Sequence, residues 1–330
     1  MSQSMIPSLP LIDPFGRRIE YLRVSLTERC DLRCVYCRPP CEEGIAPSDI
    51  LSVEDVVNIV EAAVGLGMCR LRLTGGEPLL RDDLEEIVAS ISALGKLQDI
   101  ALTTNGQQLA ARAGSLAAAG LHRVNVSVDS LEPAVYFSIT GGGDLRDVLR
   151  GIKAASEAGL SPVKINVVLA SRQILRRQAL CGFVDLVQRS PVHVRFIEAM
   201  PTCSHSGYFP IQELLARLGE DHHLAPVPGP EGAGPARYYR VDGSLGTIGT
   251  IAPISAPFCD CCNRLRITAR GELMPCLFST TKTDLLPALR SPDPVPRLAA
   301  LIAEAVASKP AGYGDIAAPS GIDAMYIIGG

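Results

Sequence analysis

Six short apolar runs, residues 21–26, 70–73, 99–103, 123–128, 163–169 and 192–197, alternate with stretches of helical periodicity. No other feature restricts the fold as much. A strand that is followed by a helix reaches its neighbour only by a crossover, so such strands pair in parallel and the helices cover one face of the sheet. Val53, Val56, Val57, Val60 and Val64 share one helix face behind Ser52, a plausible N-cap, and Leu84, Ile87, Val88 and Ile91 share another behind Arg81-Asp82-Asp83. The expected fold is α/β, an incomplete (β/α)6 TIM-like barrel over residues 1–235. Residues 236–330 are expected to form a smaller C-terminal region that closes the barrel mouth. Between the two, residues 226–235 (PVPGPEGAGP) read as an exposed loop or linker, because Pro and Gly deny them regular structure.

Polar and glycine residues gather where these strands end. The second strand runs into Thr74-Gly75-Gly76-Glu77-Pro78 and the third into Thr103-Thr104-Asn105-Gly106. The fourth carries Ser127 and Asp129, the fifth Lys164 and Asn166, and the sixth Arg195 and Glu198. One such end is an ordinary βα turn. Five in succession point to a shared site, since the strand ends of parallel barrels carry the chemistry.

The chain has 330 residues, of which 47% are apolar and 20% charged, so a packed core is expected and disorder is not. A net charge of −4 excludes a global attraction to nucleic acid or to an anionic membrane, though not a local cationic pocket. Residues 1–10 lack the pattern of a secretion signal, and no apolar stretch approaches the roughly 20 residues of a membrane span. A cytoplasmic protein is therefore expected, and its eleven cysteines read as metal ligands where they cluster, not as disulfides.

Cys30, Cys34 and Cys37 follow the first strand in RCDLRCVYC. Structural zinc takes four ligands in paired spacings, whereas three thiolates in one loop suit three irons of a [4Fe–4S] cluster and leave the fourth iron open. Cys41 could close that cluster, so both readings stand at this point. Cys259, Cys262 and Cys276 form a second such set, for which a three-thiolate zinc site is the rival, and Cys261 could replace either Cys259 or Cys262. After Cys262, Arg264, Arg266 and Thr268 fall on one face of a strand and Leu265 and Ile267 on the other. Two guanidiniums beside an open iron make an anion or nucleobase site, and a solvated basic strand is the plainer alternative. Lys164, one of few lysines and set among apolar strand residues, either snorkels to the surface or meets a buried anion.

The first cysteine loop, with Tyr36 before its last cysteine and Gly75-Gly76-Glu77-Pro78 after the next strand, resembles the radical S-adenosylmethionine superfamily. Over residues 16–330, the segments YLRVSLTERCDLRCVYC, LRLTGGEPLLR, TTNG, VNVSVDSL, VKINVV, VRFIEAM, FCDCCNRLRITARGELMPCLF and the terminal Gly329-Gly330 are similar to the GTP 3′,8-cyclase family of molybdenum cofactor biosynthesis. That resemblance implies a lyase with two [4Fe–4S] clusters, on Cys30, Cys34, Cys37 and on Cys259, Cys262, Cys276, and S-adenosylmethionine as cofactor. It implies that a 5′-deoxyadenosyl radical takes hydrogen from C3′ of GTP, giving (8S)-3′,8-cyclo-7,8-dihydroguanosine 5′-triphosphate. Tyr36, Gly75, Gly76, Glu77, Ser127 and Met200 are then the S-adenosylmethionine contacts. Arg23, Arg70, Arg72, Thr103 (or Thr104), Lys164, Arg195, Arg264, Leu265, Arg266 and the Gly329-Gly330 tail are then the GTP contacts. The partners implied are GTP, a flavodoxin- or ferredoxin-like reductant and a cyclic pyranopterin monophosphate synthase that takes the product, with a homodimer left open. The rival readings are a two-cluster radical enzyme that modifies a peptide, and a zinc-stabilised or ferredoxin-like binding protein.

Overall fold

In the computed structural model, residues 10–37, 50–200, 209–232, 234–315 and 325–328 are described. The six expected strands are present as β1 (Tyr21–Ser25), β2 (Arg70–Thr74), β3 (Asp99–Thr104), β4 (Arg123–Ser127), β5 (Lys164–Leu169) and β6 (His193–Glu198), paired in parallel in that order. Residues after 220 add β7 (Leu224–Val227), β8 (Arg237–Val241), β9 (Thr247–Ile251), β10 (Arg264–Ile267), β11 (Glu272–Met274) and β12 (Thr283–Asp284). They do not form a separate layer. β10 joins β1 in parallel and β9 joins β6 in parallel, so the late strands extend the barrel sheet at both edges. Two antiparallel hairpins then finish the edges, β11–β12 on one side and β8–β7 on the other. The sheet runs unbroken across residue 235, because β7 pairs with β8.

Side chains alternate across this sheet. Leu22, Val24, Leu71, Leu73, Ile100, Leu102, Val124, Val126, Leu265 and Ile267 face the helices and are fully buried in the core. The helix Val53–Gly65 starts at Ser52 with a reciprocal capping box: the Asp55 N–H donates to the Ser52 hydroxyl and the Ser52 N–H to the Asp55 carboxylate. It buries Val56, Ile59, Val60 and Ala63, and the helix Pro294–Ala307 packs across it with Leu298, Ile302 and Val306. At about 1.5–3 kcal/mol for each fully buried aliphatic side chain, this contact alone pins the C-terminal part to the first helix. Among the described residues no helix is long and apolar enough to cross a membrane.

The other parity carries the polar residues, and these converge. Arg72 on β2 feels the charge of Arg195 on β6. On a flat sheet four strand spacings would separate them by roughly 19 Å, so the sheet is strongly curled about a polar interior.

Candidate active site between two cysteine groups

Beyond β1 the chain stays beside the end of β2. Leu26 N–H donates to Thr74 O (2.8 Å), Gly76 N–H to Thr27 O (2.6 Å) and Glu77 N–H to Arg29 O (2.7 Å). These contacts are too close for side chains. A β-carbon on Gly75, whose φ is +146°, would lie 2.5 Å from Thr27 O, and one on Gly76 would lie 2.3 Å from Arg29 O. Glu77 is buried and welds the turn to the next one, accepting from Leu79 N–H (3.0 Å), the Thr104 hydroxyl (2.7 Å) and Asn105 N–H (2.6 Å). Burial pushes its carboxyl up to about 7. Asn105 in turn donates to Asp31 (2.6 Å), next to Cys30. The Gly-Gly-Glu-Pro turn, the Thr-Thr-Asn-Gly turn and the cysteine loop are thus one unit.

Within that loop, burial pushes the Cys30 thiol up to about 11 and the Cys34 thiol well above the usual range, with Asp129, Cys37 and Cys30 adding to the latter. Cys34 thus feels the charge of both neighbouring cysteines, at a place that resists a bare thiolate. A thiolate there needs a cation beside it, and the irons of an iron–sulfur cluster would supply one. Among the described residues no three Cys, His, Asp or Glu side chains converge tightly enough to hold a single ion, so the fit rests on this shared loop and its electrostatics. The Tyr36 hydroxyl donates to Asp129 (2.6 Å), whose other oxygen accepts from Val168 N–H (2.8 Å) and whose carboxyl burial raises to about 6. Cys41 lies outside the described residues.

The barrel interior below this loop is lined with cations. In register, Arg23 stands between Arg266 and Arg72. Burial, then Arg266 and Arg72, hold Arg23 well below the usual guanidinium range; burial brings Arg72 and Arg266 down to about 10. Lys164, fully buried, is pushed down to about 6 by burial and then by Arg123, Arg195 and Arg72. Some of these groups are held by the protein. Arg195 donates to Asn125 (2.8 Å) and Asn166 (2.6 Å), Arg123 pairs with Asp99 (2.6 Å), and Arg70 lies 3.6 Å from Glu20. Others are not. Arg23 Nε, Arg72 Nε and Thr103 Oγ1 are buried with no hydrogen-bond partner. Thr104 is committed to Glu77 and Gly106, so of the two threonines Thr103 has the hydroxyl to offer. Ser127 ends β4 on the same inner parity, and Met200 lies two residues past β6. The Leu265 side chain faces the core, so only its backbone can line the interior. Buried charges left unpaired cost several kcal/mol each, and a polyanion among them would offset that cost.

The second cysteine group lies at the opposite end. Cys30, Cys34 and Cys37 follow the C-terminal end of β1, whereas Cys259 and Cys262 precede the N-terminal end of β10, its parallel neighbour. The antiparallel return of β11, with Met274 opposite Arg266, brings Cys276 back to that same end. Cys259–Cys261 form a single 3-10 turn, in which Cys261 is exposed and its thiol points to Phe258 O (3.4 Å). Cys262 is half-buried. Burial raises its thiol, but Lys309 and Arg264 outweigh this and the net shift is downward. Lys309 is buried, donates to Arg264 O (3.0 Å) and Pro275 O, and feels both Cys262 and Cys276. Arg17 ties the turn to the C-terminal segment, donating to Cys259 O (2.8 Å), Ala311 O (2.7 Å) and Pro310 O (2.6 Å). Arg266 Nη1 reaches Ile328 O (3.3 Å), so the last described residue ends at the cation cluster; Gly329 and Gly330 lie outside the described residues.

Sequence reasoning did not single out Asp99, Arg123, Tyr21, Arg17 or Lys309. For the first three a signal existed: each shares the inner parity of its strand with Thr103, Asn125 or Arg23. The Tyr21 phenol is raised by burial, yet Arg72, Arg23 and Arg123 draw it down overall. Arg17 and Lys309 gave no local signal.

Two family models match, Radical SAM superfamily over residues 24–173 and Molybdenum Cofactor Synthesis C over residues 192–314. GTP 3′,8-cyclase of Pelotomaculum thermopropionicum is 45% identical over 310 residues, spanning 90% of this chain and 93% of its own. The enzyme of that name from Listeria monocytogenes is 42% identical over 310 residues, spanning 91% of each chain. Among solved structures, Streptococcus suis SuiB bound to its precursor peptide SuiA superposes with a TM-score of 0.63 at 15% identity, covering 85% of this chain and 64% of that one. At that identity the likeness speaks for the α/β fold alone. The thiol loop, the glycine turn above a cation-lined interior and these matches converge: the chain belongs to the GTP 3′,8-cyclase family of the radical S-adenosylmethionine superfamily.

Proposed function

We propose that this chain binds GTP in the cationic interior, between two [4Fe–4S] clusters, and converts it to the 3′,8-cyclo nucleotide used in molybdenum cofactor biosynthesis. The observation that carries the proposal is the placement of two three-cysteine groups at opposite ends of one interior, with buried, unpartnered donors of Arg23, Arg72 and Thr103 between them. Residues 1–235 supply the first cluster and the S-adenosylmethionine site. Residues 236–330 supply the second cluster and the Arg264–Arg266 strand, two roles carried on one continuous sheet.

When bound, the first cluster and S-adenosylmethionine supply a 5′-deoxyadenosyl radical that removes the C3′ hydrogen of GTP. The chain's own work is placement. Cys30, Cys34 and Cys37 hold the first cluster, and Gly75 and Gly76 leave backbone within reach of the cofactor's amino end, while Glu77 fixes that turn through its three acceptor contacts. Tyr36, held by Asp129, together with Ser127 and Met200, lines the adenosyl side. Arg23, Arg72, Lys164 and Arg195, with Arg70 at the rim, grip the triphosphate, and the forked guanidiniums fix its orientation as well as its charge. Arg264, the Leu265 backbone and Arg266 hold the nucleoside toward Cys259, Cys262 and Cys276, and the Gly329-Gly330 tail is assigned to the substrate with them. Holding the ribose against the radical source makes the hydrogen transfer effectively intramolecular. No side chain has to serve as the principal acid or base. A small flavodoxin- or ferredoxin-like carrier delivers the electrons in the cytoplasm, and a cyclic pyranopterin monophosphate synthase consumes the product.

Anaerobic reconstitution followed by dithionite, S-adenosylmethionine and a nucleotide panel tests this. We expect 5′-deoxyadenosine release that depends on GTP. Equal release with ATP or a peptide, and none with GTP, would defeat the substrate assignment.

A further inference from the structure

The loop between β7 and β8 is largely exposed, as its composition predicts, yet two of its backbone carbonyls reach buried cations. Glu231 O accepts from Lys164 Nζ (2.7 Å) and Gly232 O accepts from Arg123 Nη2 (3.2 Å). Lys164 and Arg123 are the first residues of β5 and β4, so the loop lies at the barrel end away from Cys30, Cys34 and Cys37. The approach is close. Gly232 has φ +62°, and a β-carbon there would lie 2.5 Å from Arg123 Nε.

These contacts create a sharp chemical boundary. Arg23 and Arg72 present buried donors without partners. Arg123, on the neighbouring side, is already saturated by the Asp99 carboxylate (2.8 and 2.6 Å) and the Gly232 carbonyl. An anionic chain entering along Arg23 and Arg72 is welcomed as far as Lys164. One phosphate further it meets a carboxylate and two carbonyl oxygens, whose partial charges repel it.

Resting on the GTP reading above, we infer that the β7–β8 loop is a gauge of polyphosphate length, ending the binding groove after the third phosphate. The loop does this with backbone carbonyls, which is why a glycine stands at 232.

The test compares binding of GTP, GDP and guanosine 5′-tetraphosphate to the reconstituted protein by anaerobic equilibrium dialysis. Wild type should favour GTP over the tetraphosphate by about tenfold or more, the scale of one lost or repelled contact. Gly232→Val pushes the loop off Arg123, and a second variant replaces residues 229–234 by Asn-Gly, a two-residue hairpin turn. In either variant with wild-type iron content and melting temperature, the preference should shrink to within about threefold. Retention of the full preference in a folded variant overturns the inference, as does equal binding of both nucleotides by wild type. Failure of wild type to bind any guanine nucleotide better than ATP removes the GTP reading itself, and the gauge with it.

Discussion

Moving from about pH 9 to about pH 7 should tighten GTP binding through one residue, Lys164. In the free protein burial and the Arg123, Arg195 and Arg72 charges hold its amine down to about 6, so it is neutral across this range. A triphosphate beside it favours the ammonium and raises that value. Between the free and bound values, binding therefore takes up a proton, and affinity improves by about tenfold, or about 1.4 kcal/mol, for each pH unit lowered. Below about 6 the effect ends, because the free amine is already protonated. Arg72 and Arg266, held near about 10, remain charged at pH 7 and contribute little to this slope. The assay is anaerobic calorimetry at about pH 8 in two buffers of different ionisation enthalpy, which counts protons directly. Wild type should take up close to one proton, and Lys164→Arg, permanently charged, close to none. The same uptake by both proteins would refute the reasoning, since any proton on the phosphates is common to the two. For the free protein the sign is opposite in kind: unfolding frees Lys164 to protonate, so stability rises with pH from about 6 toward the ordinary lysine range.

Gly76→Ala must displace Arg29 O, 2.3 Å from the new β-carbon, at about 1–3 kcal/mol, and should abolish 5′-deoxyadenosine release in protein that still folds; wild-type turnover would show that the close contact is not needed. Cys262→Ala should lose roughly four irons while Cys261→Ala keeps them, and iron analysis with the reverse result would mean that the outward-facing thiol is the ligand. Arg17→Met leaves Asp13 buried without its ion partner and frees three carbonyls, so urea unfolding should show a loss of roughly 3–5 kcal/mol; an unchanged midpoint would show that the Cys259 turn is held by other means.

The six barrel strands were legible to within a residue or two because two signals coincided: an apolar outer parity and a polar strand end. Thr247–Ile251 escaped notice because five residues with a central glycine look like any short turn-bounded run, and their partner, β6, is chosen only when the sheet curls. Local rules describe conformation and not surroundings. They read residues 226–235 as a loop, whereas Pro226 and Val227 complete β7, and they could not show that the Glu231 and Gly232 carbonyls meet buried cations. Spacing likewise could not separate Cys261 from Cys262, which differ only in how one 3-10 turn faces. Arg17 was beyond reach for a plainer reason: its partners lie 242 and 294 positions away along the chain.

The pairing of β10 with β1 also bears on how the chain is made. Glu20 and Asn263 meet at the start of this pair, 243 positions apart. The first cysteine loop and its two supporting turns are complete once β3 has emerged, but the second site needs a strand synthesised far later. At about 5–20 residues per second, the free edge of β1 waits roughly 10–50 s for β10. During that time it is an uncovered strand edge, open to pairing with another nascent chain. Under the two-cluster proposal, the first cluster can be installed in this interval, while the second has no site to enter until β10 and β11 arrive. That proposal then has loading ordered by synthesis, N-terminal cluster first, and a chain stalled before residue 264 would carry the first cysteine loop with no Arg264–Arg266 strand opposite it.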